Sequence, residues 1–396
     1  MGWSWARALS EVVQLTVITR ANNRLVIEAC KEEWTTRITW VYFDLPQWAM
    51  FWKRGSRGAN IYYWLWQFGA LAKVRPIHSR HPFDLIHHVT FGRYWVPSLL
   101  SRLETPFVFG PVGGGEDIPP ALLRTFSLKR RFIEAARKLL HYRCRLDPFL
   151  RMSLSRKSTV TVAATPETET KLASLRPSEV VTMPQCSLDA KKLEQFAMLP
   201  PPQVDRFRIV SIGRLVPWKG YHLAVKAFAQ LLESFPHAEY WLINDGPERS
   251  HLEQLAVKLR LSDKIKFWGK LSSLEEVYQT LGQSDVLLHP AIRESFGNVC
   301  LEAIAAGRPV VCLATGGPRM QITPDVGIAV PPTDEPATVG KLSEALAKLA
   351  GNPALREQMG RAAQLRAKQH FSQDAQVTSM LGIYHQLMKP QKGAVL

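Results

Sequence analysis

Between residues 207 and 313, five short apolar runs alternate with four longer periodic ones. The short runs are FRIVSIG, AEYWLIN, KIKFWG, DVLLHP and PVVCL, rich in the branched and aromatic residues that suit strands. Between them lie YHLAVKAFAQLLESF, SHLEQLAVKLRL, SLEEVYQTLGQ and NVCLEAIAAG, whose apolar residues recur at helical spacing. Strands alternating with 10-to-15-residue helical segments predict βαβ units around a parallel sheet, hence a Rossmann-like layer in the second half.

The first half is less regular, but QLTVITR, ITWVYFD, FDLIHHV, TPFVFGP and STVTVAAT read as strands of a second sheet with helical material between. Three consecutive prolines, Pro200 to Pro202, interrupt FAMLPPPQVDRF and resist both helix and central strand, so the linker is placed there. The expected division is 1–198, 199–375, and a C-terminal helix and tail over 376–396 that can pack back on the first domain. A chain of 396 residues, 46% apolar and 21% charged, is long enough for two such cores. The front is unusual. A Rossmann-like domain opens with a buried parallel strand and a glycine-bearing turn, yet in MGWSWARALSEVVQLTVITR Trp3 to Val13 already reads as the first helix and Leu15 to Thr19 as the next strand. The opening strand is missing, which predicts either a natural form extending about one strand and loop upstream or a domain of reduced stability and activity.

Two α/β domains joined by a hinge leave a cleft between the carboxyl edges of their sheets, where such sheets bind ligands. The chemistry-bearing residues fall on those edges. After FRIVSIG comes RLVPWKG, which sets Gly213, Arg214 and Lys219 in the loop opening a helix, where amides and cations can meet a phosphate. After AEYWLIN comes DGPE, whose turn needs close backbone approach at Gly246. After DVLLHP comes RESFGNVCLEA, with Glu294 and Glu302 eight positions apart around Phe296, Gly297 and Asn298. If the helix starts near Gly297, its free amides face an anion, Glu294 precedes that anion and Glu302 lies about 6 Å further along. That is the offset from a diphosphate to the ribose of one nucleotide. Two surface glutamates on an ordinary strand-to-helix turn are the plain alternative; the site is favoured because the other signals fall at successive strand ends. A glycosidase pair is disfavoured, because one acid belongs to a loop and the other to the following helix with an anion site between them.

These segments, VSIGRLVPWKGYHLAVKAFAQLL, INDGPERSHLEQLAVKLRLSDKIKFWGKL and RESFGNVCLEAIAAGRPVVCLATGGP, resemble the family-four retaining glycosyltransferases of GT-B fold, a resemblance covering nearly all of residues 207 to 318. It implies that Arg214 and Lys219 neutralise a donor diphosphate, that Glu294 contacts the transferred sugar, that Glu302 holds the ribose, and that Phe296, Gly297 and Asn298 lie at the sugar phosphate. The first half is similar more loosely, through HHVTFGRYWVPSLL and FVFGPVGGGE. Many relatives carry a histidine beyond the strand matching TPFVFG; here the chain continues Gly110, Pro111, Val112, Gly113, Gly114, Gly115, so none is carried over. His87 and His88, with Gly113, Gly114 and Glu116, are the acceptor-side candidates. Each histidine is either near the reacting sugar or a satisfied structural residue, and the glycine run either presents amides or is a flexible turn.

The resemblance implies transfer of a sugar from a UDP- or GDP-linked donor to a hydroxyl of a glycan or lipid-linked acceptor, with retention, in cell-envelope synthesis. No metal is expected, since no Asp-x-Asp motif is present, and no cofactor beyond the nucleotide-sugar co-substrate. A catalytically silent GT-B protein that keeps the nucleotide pocket and acts as partner or regulator is the alternative.

Net charge is +16, and residues 1 to 190 hold 26 Lys and Arg against 15 Asp and Glu. The densest stretch, Lys129 to Arg145, reads as an amphipathic helix with Phe132, Ala136, Leu139 and Leu140 on one side and Arg130, Arg137, Lys138 and Arg145 on another. It suits an anionic membrane surface or is a solvated helix packed on its own domain. Nucleic acid is not expected, because no recognised motif accompanies the charge. No apolar run approaches the ~20 residues of a membrane span, and the N-terminus lacks a secretory layout, so cytoplasmic residence is expected, with peripheral attachment at the inner face of the membrane as an option. The five cysteines form no close cluster and read as buried thiols.

Overall fold

The computed structural model describes residues 2–53, 55, 58–202 and 206–389. Part of the proline-rich linker, residues 203–205, and the end of the expected C-terminal tail from residue 390 lie outside the described residues. In the first half, β1 (Leu15–Arg20) and β2 (Ile38–Phe43) pair in parallel, with Leu15 opposite Ile38 and Arg20 opposite Phe43. A second parallel sheet contains β3 (Ile86–His88), β4 (Phe107–Val112), β5 (Thr159–Ala163) and β6 (Glu179–Thr182), in the order β3-β4-β5-β6. The single sheet expected from the sequence is therefore divided. Among the described residues, no strand hydrogen-bonds the second edge of β1 or of β3. Side chains join the two pieces instead: Ile18 packs against the cluster of Ile86, Phe107 and Phe109, and Leu15 against that of Val108, Val160 and Val162.

The helix Gly2–Leu9 lays Trp5 and Leu9 on Val108, Val160 and Val162, and the last helix, Gln373–Met388, brings Val377, Met380 and Tyr384 to the same face. Those three valines are at most 1% exposed, and each fully buried side chain of this size stabilises by about 1.5–3 kcal/mol. The chain thus passes between the two halves twice. The passages run side by side, where the Leu188 amide donates to Phe371 O and the Gln373 amide to Leu188 O, both at 2.9 Å.

The second half is a six-stranded, all-parallel sheet: β7 (Arg208–Ile212), β8 (Glu239–Ile243), β9 (Ile265–Gly269), β10 (Val286–His289), β11 (Val310–Leu313) and β12 (Gly327–Val330), ordered β12-β11-β10-β7-β8-β9. Helices cover both faces. Tyr221–Leu231 and Glu335–Ala350 pack on one side with Ile209, Leu242 and Val286; Asn298–Ala305 and Pro353–Phe371 pack on the other with Val210, Leu287 and Val310. Burial on two faces is why these strands read as continuous apolar runs and not as alternation. The order reverses at β7, which has β8 on one side and β10 on the other, so the loops leaving β7 and β10 diverge and open a crevice at their carboxyl ends.

Candidate active site

Two loops meet at that crevice. From β7 the chain runs through Gly213, Arg214 and Lys219 into the helix Tyr221–Leu231; from β10 it runs through His289, Glu294 and Phe296 into the helix Asn298–Ala305. Gly220 joins them: its φ of 68° is left-handed, and a Cβ there would stand 2.1 Å from Pro290 O, so only glycine lets the loops approach. The third strand-end loop closes over Glu294, since a Cβ on Gly316 would stand 1.6 Å from Glu294 O.

Glu294 is the most constrained group. Lys219 Nζ donates to its Oε2, His289 Nε2 lies 3.4 Å from the same oxygen, and the Phe296 amide donates to Oε1 at 3.3 Å. Burial alone would raise its pKa; His289 and Lys219 outweigh that and hold the carboxyl well below the usual carboxylate range. Burial lowers the pKa of His289 itself, which keeps the imidazole neutral. Glu302 contrasts with it. It is half-buried on the next helix with no hydrogen bond or ion pair to its carboxyl among the described residues, and burial pushes its pKa up to about 7. Between the two glutamates, the helix starts at Asn298 with Gly297 in the left-handed region at its N-cap, and the N–H groups of Gly297 and Asn298 have no partner among the described residues. Phe296 O is engaged, accepting from Gln321 Nε2 at 2.8 Å and from the Cys186 thiol at 2.9 Å. Arg214 is exposed and without a side-chain partner among the described residues.

The structure thus brings Gly213, Arg214, Lys219, Glu294, Phe296, Gly297, Asn298 and Glu302 to one crevice. Gly246 is explained by packing: a Cβ there would stand 2.3 Å from Leu215 O, where the turn after β8 passes the loop after β7. Of the acceptor-side candidates, Gly113 faces the crevice, since a Cβ would meet Phe296 and Ser295 at 3.6 and 3.7 Å. Gly114 lies against Trp95 with φ 95°. Glu116 is only 2% exposed and accepts hydrogen bonds from Thr165 at 2.6 Å, Thr168 at 3.1 Å and, across the cleft, Ser295 at 2.6 Å. The two histidines are occupied within the N-terminal half. His87 donates from Nε2 to Gly110 O and accepts at Nδ1 a hydrogen bond from the Tyr384 hydroxyl, each at 2.6 Å; His88 lies 2.7 Å from both Ser98 Oγ and Thr90 O. Burial lowers both to a pKa of about 4, so both are neutral.

Sequence reasoning missed several participants. His289 ends the apolar strand Val286–His289, and no local pattern sets it apart. Ser295, Glu167, which accepts the Gly316 amide at 3.1 Å, and the pair of Arg293 with Glu134 at 2.6 Å carry no local signal, because their partners are distant in sequence.

Residues 200–366 match the family described as glycosyl transferases group 1. This stretch is a group 1 glycosyltransferase domain. Among curated relatives, the chain is 31% identical over 180 residues to the lipopolysaccharide core biosynthesis glycosyltransferase LpsD of Rhizobium meliloti, covering 46% of this chain and 50% of that one. It is 34% identical over 171 residues to a GDP-mannose-dependent phosphatidylinositol monomannoside mannosyltransferase of Corynebacterium glutamicum, covering 41% and 43%. The match spans about half the length of these relatives or less. Solved structures extend the likeness to nearly the whole chain. Sucrose-phosphate synthase from Thermosynechococcus elongatus superposes with a TM-score of 0.61 at 18% identity, over 96% of this chain and 91% of that one. Anabaena HepE, solved with UDP, gives 0.60 at 17%, over 97% and 95%. The fold is GT-B: the glycosyltransferase domain faces a second Rossmann-like half across the cleft.

Proposed function

We propose that the chain is a retaining glycosyltransferase that moves a sugar from a UDP- or GDP-linked donor to a hydroxyl of a glycan or lipid-linked acceptor in cell-envelope glycolipid or polysaccharide synthesis. The observation that carries this reading is the set of groups at the switch point that have no hydrogen-bond or ion-pair partner among the described residues: the Arg214 side chain, the amides of Gly297 and Asn298, and the half-buried Glu302 carboxyl. Cation, amides and carboxylate in that order fit a diphosphate followed by a ribose diol. The relatives' names, a lipopolysaccharide core enzyme and a GDP-mannose-dependent transferase, support the same direction.

In this reading the bond from the anomeric carbon to the diphosphate oxygen breaks, and its electron pair leaves with the diphosphate. Arg214, Lys219 and the amides at Gly297 and Asn298 meet that charge in a fixed arrangement, which is where such a site lowers the barrier. The acceptor oxygen attacks from the face the leaving group vacates, and its proton passes to the departing phosphate. Glu294, ionised and tied to Lys219, orients the sugar by accepting from its hydroxyls. The scheme uses no cofactor beyond the donor and routes no step through a metal.

A thermal-shift screen of UDP-, GDP- and ADP-sugars, followed by transfer and hydrolysis assays with the binders, tests this, because a ligand of the folded state raises the melting temperature. Binding with turnover of one donor is expected. Binding without transfer or hydrolysis from any donor would leave the silent nucleotide-binding partner as the reading, and no binding would remove the site.

We further propose that the protein is cytoplasmic and docks peripherally on an anionic membrane surface. The basic helix runs Leu128–Arg143, so Arg145 lies just past its end, and it packs in an inverted sense. Its inward face is polar, with Glu134 and His141 buried, while Phe132 is 76%, Leu139 64% and Leu140 65% exposed. A helix that turns its apolar side to solvent beside Lys129, Arg131 and Lys138 suits insertion at a lipid headgroup boundary. No described helix is long and apolar enough to cross a membrane.

A further inference from the structure

The carboxylate of Glu134 is only 3% exposed, yet it belongs to the N-terminal half and lies far in sequence from the donor loops. It accepts from Arg130 at 3.1 Å, from Arg137 Nε at 3.0 Å and from Arg293 Nη1 at 2.6 Å. The last of these is the residue before Glu294. The residue after Glu294 is held from the same network. Arg137 Nη2 donates to the main-chain oxygen of Glu116 at 2.9 Å, and the Glu116 carboxylate accepts the Ser295 hydroxyl at 2.6 Å. Both neighbours of Glu294 are thus fixed by groups that converge on Glu134.

The other donor loop is tied in as well. Trp218, the residue before Lys219, has the Arg130 guanidinium over its ring at 4.5 Å and that of Arg293 at 5.4 Å. Apolar contacts anchor the approach: Ile118, Leu122 and Phe126, which lead into the Glu134 helix, are buried in one cluster with Leu215 and Tyr221 of the C-terminal domain. A merely structural ion pair would not be placed so that one carboxylate holds the flanks of both loops. A buried carboxylate with three guanidinium partners is also costly to break from one side, because the remaining charges lose their compensation.

We propose that Glu134 is a positioning residue of the donor site: through Arg293, through Arg137 and Glu116 to Ser295, and through Arg130 to Trp218, it sets the loops carrying Glu294 and Lys219. The kinetic consequence of this positioning rests on reading the site as one of sugar transfer. Free nucleoside diphosphate needs only groups of the C-terminal domain, so its binding does not require the contact. Transfer does, since a misplacement of about 1 Å can cost about 100-fold in rate.

The test uses the full chain with Glu134→Gln, which keeps the shape of the side chain, and Arg293→Lys, which keeps the charge but not the fork. Expected in Glu134→Gln are a kcat lower by about 10- to 100-fold, UDP or GDP affinity within about twofold of wild type by calorimetry, and faster hydrogen exchange over residues 214–220 and 293–297 with the β7–β10 core unchanged. A double-mutant cycle with Arg293→Lys is expected to be non-additive. Unchanged exchange in both loops, or equal losses in kcat and diphosphate affinity, overturns the proposal. If wild-type chain transfers no sugar, the transferase reading fails, while the exchange measurement still decides whether Glu134 positions the loops.

Discussion

Replacing Glu302 with glutamine should make the chain more stable at alkaline pH while weakening its hold on a nucleotide. The carboxyl is half-buried, lacks a partner among the described residues, and has its pKa moved by burial from 4.5 to about 7. The sign follows from proton counts. Between pH 4.5 and about 7 the folded chain binds more protons at this site than the unfolded chain, so stability falls as pH rises through that window, and the penalty is complete above it. At 1.36 kcal/mol per pH unit the penalty is roughly 3 kcal/mol before solvent screening, and about 1–2 kcal/mol after allowing for the open side of the crevice. Glutamine fills the same volume without the charge. Thermal unfolding of wild type and Glu302→Gln at pH 4, 6 and 8.5 should show little difference at pH 4 and a melting temperature several degrees higher for the variant at pH 8.5, at about 2–4 °C per kcal/mol for a domain of this size. Calorimetry with UDP or GDP at pH 8 should show affinity reduced by about 10- to 100-fold, the value of about 1.5–3 kcal/mol for hydrogen bonds to a charged group. A variant destabilised at pH 8.5 would show that the carboxylate has a partner in the free protein, one equally stabilised at every pH would show that its ionisation carries no penalty, and with either result the reasoning from an unmet group would fall.

Two further outcomes are expected. Arg214→Ala and Lys219→Ala should each lower kcat by about 100-fold or more, because each removes a fixed charge from the departing diphosphate, whereas Glu294→Ala should abolish transfer while leaving UDP or GDP affinity largely intact; near-wild-type turnover in the first two, or parallel affinity losses in Glu294→Ala and Glu302→Ala, would refute these roles. Leu139→Glu with Leu140→Glu should release the chain from vesicles containing anionic lipid without lowering its melting temperature, since both side chains face solvent; equal pelleting of wild type with neutral and anionic vesicles, or negligible pelleting with both, would count against membrane docking.

Five of the six strands of the C-terminal sheet, and the loops that line its crevice, were legible in the sequence. Strands such as Val286–His289 and Val310–Leu313 are buried on both faces and so appear as uninterrupted apolar runs, while Gly213, Lys219 and Glu294 fall directly after such runs. Local order was enough there, because a strand-end loop is placed by the strand that precedes it. The edge strands Glu179–Thr182 and Gly327–Val330 were not legible: each lies at the rim of its sheet, the first half-buried throughout and the second half-buried at Ile328 and Ala329. The division of the N-terminal strands into two sheets was not legible, since hydrogen bonding between edges is a property of neighbours in space. Nor was the sense of the Leu128–Arg143 helix. Periodicity shows that an apolar face exists and cannot say which way it points; here Glu134 draws the polar face inward by meeting Arg293, 159 positions away in the chain. A separation of 179 positions likewise hides the contact of Glu116 with Ser295, because a pair that distant leaves no pattern in either segment and acquires its energy only when folding removes both groups from water.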